Sequence, residues 1–181
     1  MARASVFVFF AYLLCLVAAA PILISGNTIQ KRAFALQDYA DFQISDGVAG
    51  DAEALAKAVF VDPFEGADLA TVSDQTQNDV ETMRKAAEAA ETGQFNPAID
   101  AADGAEGFFS AADALQNGKI KNKVLKLTGS VQVLNIKIAK AAAKGDDTSD
   151  LETKLQTQLG KLNKNIATDV AAAGEASKGV V

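Results

Sequence analysis

The sequence predicts an all-α fold: a helical bundle of about five to six helices that ends in a long antiparallel αα-hairpin. Three observations carry this. Apolar residues recur at three- and four-residue spacing through most of the chain, while period-2 alternation is scarce. Only three prolines occur in 181 residues, and alanine is abundant. Two apolar seams near the C-terminus are joined by a turn too short for anything but a hairpin.

The N-terminus reads as targeting sequence. Arg3 is followed by the apolar run VFVFFAYLLCLV (6–17) and the small residues Ala18 to Ala20. This is the layout of a secretory signal peptide, assigned to residues 1–19 with cleavage after Ala19, because Pro21 disfavours cleavage directly before it. An uncleaved anchor is the rival. Its apolar stretch from Val6 to Ile24 is barely long enough to span a bilayer. Lys31 and Arg32 then form a dibasic pair, similar to the sites that fungal kexin-type proteases cut. Residues 20–32 are therefore assigned as a short propeptide and residues 33–181 as a single helical domain, long enough to bury a core. The expected location is secreted and extracellular, with no stable membrane span after processing.

Within that domain, AFALQDYADFQIS (33–45) supplies Phe34, Leu36, Tyr39, Phe42 and Ile44 as an apolar set, broken by Gly47 and Gly50. DAEALAKAVF (51–60) reads as a helix with Asp51 at its start, closed by Asp62-Pro63. Ser73 is placed as the N-cap of the next helix, with a start nearer Asp68 as the alternative; the helix carries Val80, Met83, Ala87 and Ala90 and ends at Gly93. Asn96-Pro97 is the expected start of another, in the favoured cap-then-proline order. Asn117-Gly118 is the expected stop.

The last two helices carry the clearest pattern. Ile120, Val124, Leu127, Val131, Leu134 and Ile138 are spaced 4, 3, 4, 3, 4, a heptad seam. Gly145-Asp146-Asp147 makes the turn, and SDLE (149–152) matches a capping box. Leu151, Leu155, Leu159, Leu162, Ile166 and Val170 continue at 4, 4, 3, 4, 4. The remainder, AAAGEASKGVV, reads as a frayed tail.

At about 100° per residue, Lys123, Lys126, Lys137, Lys140 and Lys144 fall within roughly 60° of Lys119, forming one stripe. Lys121 alone points away. The seam and a second apolar group, Leu125, Val133 and Ile136, occupy two other faces, so this helix is expected at the centre of the bundle.

Charge is unevenly distributed. The whole chain is −6, but residues 33–118 hold 17 acidic and 3 basic residues, and 119–181 hold 6 acidic and 11 basic. The lysine stripe is thus either a surface-binding stripe or the face that meets the acidic half. The second reading is favoured. Nucleic acid is a poor fit, because Arg84 is the domain's single arginine and the domain is acidic.

The chemical inventory argues against an enzyme. There is no histidine, and the one cysteine, Cys15, lies in the signal, so the mature chain is cysteine-free. Ser-His-Asp and Cys-His catalysis and histidine-ligated zinc are excluded by composition. Asp41, Asp46, Asp51 and Glu53 lack the alternating pattern of a calcium loop and read as helix caps. No cofactor is expected. Phe42, Phe60, Phe108 and Phe109 are the residues that would line an apolar ligand site, although core packing is their commoner role.

The stretches DFQISDGVAGDAEALAKAVFVDPF, FNPAIDAADGAEGFFSAADALQNGKIKNKVLKL and LNKNIATDVAAAGEAS give most of the domain a pattern that resembles a family of fungal small secreted proteins. The resemblance implies secretion, leader processing and an α-helical domain; it implies no enzyme activity and no functional residues. The function expected from the sequence is extracellular binding without catalysis, effector-like or associated with a cell wall or surface. The partner is a protein, a wall polysaccharide or an apolar ligand. The alternative is a carrier of a small apolar or lipid ligand within the bundle.

Overall fold

The computed structural model describes residues 34–102 and 111–181. The segments assigned from sequence as signal and propeptide, Lys31, Arg32, Phe108 and Phe109 lie outside the described residues. The fold is all-α, with helices α1 (Tyr39–Phe42), α2 (Ala52–Phe60), α3 (Asp74–Ala90), α4 (Asn96–Ala102), α5 (Ala111–Lys144) and α6 (Ser149–Ala171). Short 3-10 turns cover Asp62–Phe64 and Leu69–Thr71, and two two-residue strands, β1 (Gly47–Val48) and β2 (Ala176–Ser177), pair antiparallel.

The central position of α5 is borne out. Helices α2, α3, α4 and α6 all pack on it. Val124 and Leu127 of the seam are buried, and so are Leu125, Val133 and Ile136 on the second apolar face. Met83 and Val80 of α3 and Phe60 of α2 fill the same core with no exposed surface. Around Phe60 the aromatic rings of Phe34, Phe42, Phe64 and Tyr39 form a chain of contacts with centroids 5.2 to 6.4 Å apart. After the turn at 145–148, α6 folds back along α5, as the paired seams predict.

Several boundaries differ from the sequence reading. Helix α3 does not end at Gly93. Residues Glu91–Phe95 widen into a π turn, in which the Asn96 N–H donates to the Glu91 carbonyl, and the chain runs on into α4. Pro97 explains the widening: it has no N–H to donate and its ring crowds the carbonyl four residues back in a regular α-helix. Ser73 caps α3 as expected, accepting from the Thr76 N–H at 3.0 Å. The cap of α6 is shifted by one residue. Thr148 is the N-cap and its hydroxyl donates to Glu152, while Asp147 accepts from the Ser149 N–H at 2.9 Å.

Asn117-Gly118 is not a stop. Helix α5 passes through both residues because Gly118 is where the C-terminal tail crosses it: a Cβ there would lie 2.0 Å from the Lys178 carbonyl oxygen. The tail is correspondingly not frayed. The Lys178 N–H donates to the Ala114 carbonyl at 2.9 Å, the Ser177 hydroxyl to the Ser45 carbonyl, and the Gly179 N–H to Asp46 Oδ1 at 2.8 Å.

Asp46 ties this tail to the segment before α2. The Gly179 N–H, then the Gln43 amide, hold its carboxyl below the ordinary carboxylate range, against partial burial and with help from Lys121 and Lys178. A depressed carboxyl contributes stability above its unfolded pKa of about 3.9, lost as pH falls through the folded value. Protection of the Gly179 amide from hydrogen exchange, relative to its intrinsic rate, is therefore expected to be intact at neutral pH and to fall below about pH 4. Undiminished protection down to about pH 2 would contradict this tether.

Candidate functional site

Helices α3, α5 and α6 enclose a cleft of about 310 Å³, lined by Arg84 and Glu88 of α3, Lys123, Lys126, Leu127 and Ser130 of α5, and Gln158, Lys161 and Asn165 of α6. The spacing of these residues follows from helix geometry. Positions 123, 126, 127 and 130 share one face of α5, and 158, 161 and 165 one face of α6. The α3–α5 wall is close-set because Gly129 has no side chain. A Cβ there would stand 3.1 Å from both the Arg84 Cβ and the Phe60 ring. That contact fixes the root of the Arg84 side chain beside the cleft.

The electrostatics are layered. Burial works against the Arg84 charge, but hydrogen bonds to Glu81 and Glu88 outweigh it, and its pKa is raised. The guanidinium donates to both Glu81 oxygens, at 2.9 and 3.2 Å, and to Glu88 at 2.7 Å. In return Arg84 holds the Glu88 carboxyl below the ordinary range. Lys126 makes a close ion pair with Glu91, and Lys123 stands 3.7 Å from the same carboxylate. Lys161 is exposed and has no ion-pair partner among the described residues.

The lysine stripe read from the sequence is thus divided. Lys123 and Lys126 reach Glu91 and line the cleft. Lys140 meets Asp74 at the start of α3, at 2.7 Å, beside a shallower cleft that also includes Lys144. Lys119 is half-buried, and Lys137 and Lys144 are exposed. Three of the six stripe lysines therefore do face acidic residues of the first half.

The residue that sequence reasoning set aside is the most deeply placed. Lys121 has no exposed surface, and its ammonium donates to the Asp46 carbonyl (3.1 Å) and the Val48 carbonyl (2.8 Å) and pairs with Asp51 (2.8 Å). An ammonium has three protons, and all three are used. Its neighbour Asn122 is also fully buried; it accepts from the Tyr39 hydroxyl at 2.9 Å and donates to the Ala87 carbonyl at 2.8 Å. Burial pushes the Tyr39 hydroxyl up to about 12, so it stays protonated and keeps donating at physiological pH. The available signal was position: Lys121 falls off the stripe.

Asp51 accordingly does not cap α2 with its side chain. Asp169 of α6, 2% exposed, does so instead, accepting from the Ala52 N–H at 3.0 Å. Glu53 pairs with Lys57, and among the described residues no group of acidic side chains is placed to hold a metal ion. Phe42 and Phe60 are buried in the aromatic core. Beside that core an open groove of about 570 Å³ is lined mainly by Phe34, Phe42, Ile44, Leu55, Val59 and Pro63.

Fold and site together define an all-α domain with a mixed-charge cleft where α3, α5 and α6 meet, and a separate apolar groove formed by residues 34–63. The chain belongs to the family described as a domain of unknown function, DUF8454, whose model matches residues 34–181. No curated protein and no solved structure matches it. Among the described residues no helix is long and apolar enough to cross a membrane.

Proposed function

We propose that this is a secreted, non-enzymatic binding protein of the fungal small-secreted-protein kind, effector-like or associated with a cell wall or surface, acting through the α3–α5–α6 cleft. The observation that carries the reading is that cleft. It presents four cations, of which Lys161 is unpaired, together with the neutral hydrogen-bonding side chains of Ser130, Gln158 and Asn165. Such a lining suits recognition of an anionic or hydroxyl-rich partner. Secretion is supported by the apolar leader and the dibasic pair, and the family match begins one residue after the mature start expected at Ala33.

The test is incubation of the secreted protein with insoluble wall polysaccharides, with intact-mass measurement of the unbound fraction. Depletion from solution is expected, with a mass beginning at Ala33. No depletion by any wall fraction would count against wall binding, and a mass beginning at Ala20 would refute processing after Arg32.

The apolar groove beside Phe34 and Phe42 favours a second reading, a carrier of a small apolar or lipid ligand. A lipid that strongly raises the melting temperature would support it; no response across a lipid panel would sink it.

A further inference from the structure

We propose that the cleft, together with the lysine-bearing faces of α5 and α6 that continue from it, binds a linear, hydroxyl-rich polymer bearing one carboxylate per sugar ring, a polyuronate. This deepens the binding reading and rests on it. Beyond the cleft, the helix faces that line it carry further cations. Lys137 lies seven residues beyond Ser130 on α5, and Lys154 seven residues before Lys161 on α6. Each therefore continues the face of a cleft residue, about 10 Å further toward the hairpin turn. Both are exposed, and neither has an ion-pair partner among the described residues. From Lys123 to Lys137 the line of cations on α5 extends about 21 Å. That is the footprint of an extended chain rather than of a small ion.

The lining selects among polyanions. Bases need aromatic stacking platforms, and the cleft has none. Its one arginine is already held by Glu81 and Glu88. Those carboxylates and Glu91 stand along the α3 side. A duplex carries one charge per about 1.7 Å and would press phosphates against them. A polymer with a single carboxylate per ring is sparser. It can set its charges against Lys137, Lys154 and Lys161 while its hydroxyls meet Gln158, Asn165 and Ser130. Lysine ammoniums are point charges on flexible stems that can reach carboxylates spaced along a chain.

The probe is polygalacturonate, tested by affinity electrophoresis and equilibrium binding against the full secreted protein, beside a neutral glucan, dextran sulfate and single-stranded DNA. The expected result is retardation by polygalacturonate that weakens with salt, and little by the neutral glucan. Replacing Lys137 and Lys154 together by glutamine should weaken binding by about fivefold or more, with the melting temperature unchanged. The matched control, Lys57→Gln with Lys178→Gln, removes the same charge away from the cleft and these helix faces and should bind as wild type. Equal losses in both pairs, no loss in either, or tighter binding to dextran sulfate or DNA would overturn the proposal. If polygalacturonate fails while wall material still depletes the protein, this proposal falls and the general binding reading stands. If neither binds, this proposal and wall binding both fall.

Discussion

Lys121→Met is expected to destabilise the domain by roughly 2–4 kcal/mol, a large share of a typical domain's stability. Methionine keeps the length of the side chain but not the ammonium. The Asp46 and Val48 carbonyls, now bonded to Nζ, would lose their donor. A hydrogen bond to a charged group contributes about 1.5–3 kcal/mol, and these two are part-buried, so water can replace some of each. Asp51 is about half exposed and would be rehydrated, so it adds less than a fully buried counter-ion would. Urea unfolding of the variant should show a lower midpoint with a similar slope. A loss below about 0.5 kcal/mol, the size of an ordinary surface change, would mean that Lys121 does not hold the β1 segment as described.

Gly118→Ala is the second large effect, and its sign separates local from tertiary control. In a helix interior alanine is better than glycine by about 1 kcal/mol. The structure predicts the opposite. The new Cβ would fall 2.0 Å from the Lys178 carbonyl oxygen and 2.8 Å from its carbon, and both are backbone atoms with little freedom to yield. Overpacking of this kind costs roughly 1–3 kcal/mol, and the tail must shift or detach. The expected readouts are a lower melting temperature and lost hydrogen-exchange protection at Lys178 and Gly179. A stabilised protein with a protected tail would refute the close crossing.

The pattern of success in the sequence follows the same division. Helix α5, its two apolar faces and the return of α6 were legible because they rest on spacings of three and four residues. The cap of α3 at Ser73 was legible from residue type, because a serine hydroxyl suits an N-cap. The cleft was legible only in part. Lys123 and Lys126 were identified as members of a stripe, but Arg84, Gln158, Lys161 and Asn165 lie on helices whose rotation about α5 no local spacing reports. The pairing of Glu91 with Lys123 and Lys126 agrees with the charge asymmetry of the two halves, which named the kind of contact but not the partner.

By itself the sequence determined the all-α class, the central helix and the closing hairpin. Periodicity marks the apolar face of each segment wherever that segment ends up. The tertiary structure alone decided that Asn117-Gly118 would be crossed rather than capped, that AAAGEASKGVV would be strapped down, and that Asp169 rather than Asp51 would cap α2. These contacts join residues far apart in the chain: 75 positions from Lys121 to Asp46, 117 from Asp169 to Ala52, and 133 from Gly179 to Asp46. Local propensity for glycine, aspartate or a polar tail describes the isolated segment. Once another backbone lies against it, the hydrogen bonds and close packing of that contact outweigh the roughly 1 kcal/mol that propensity supplies.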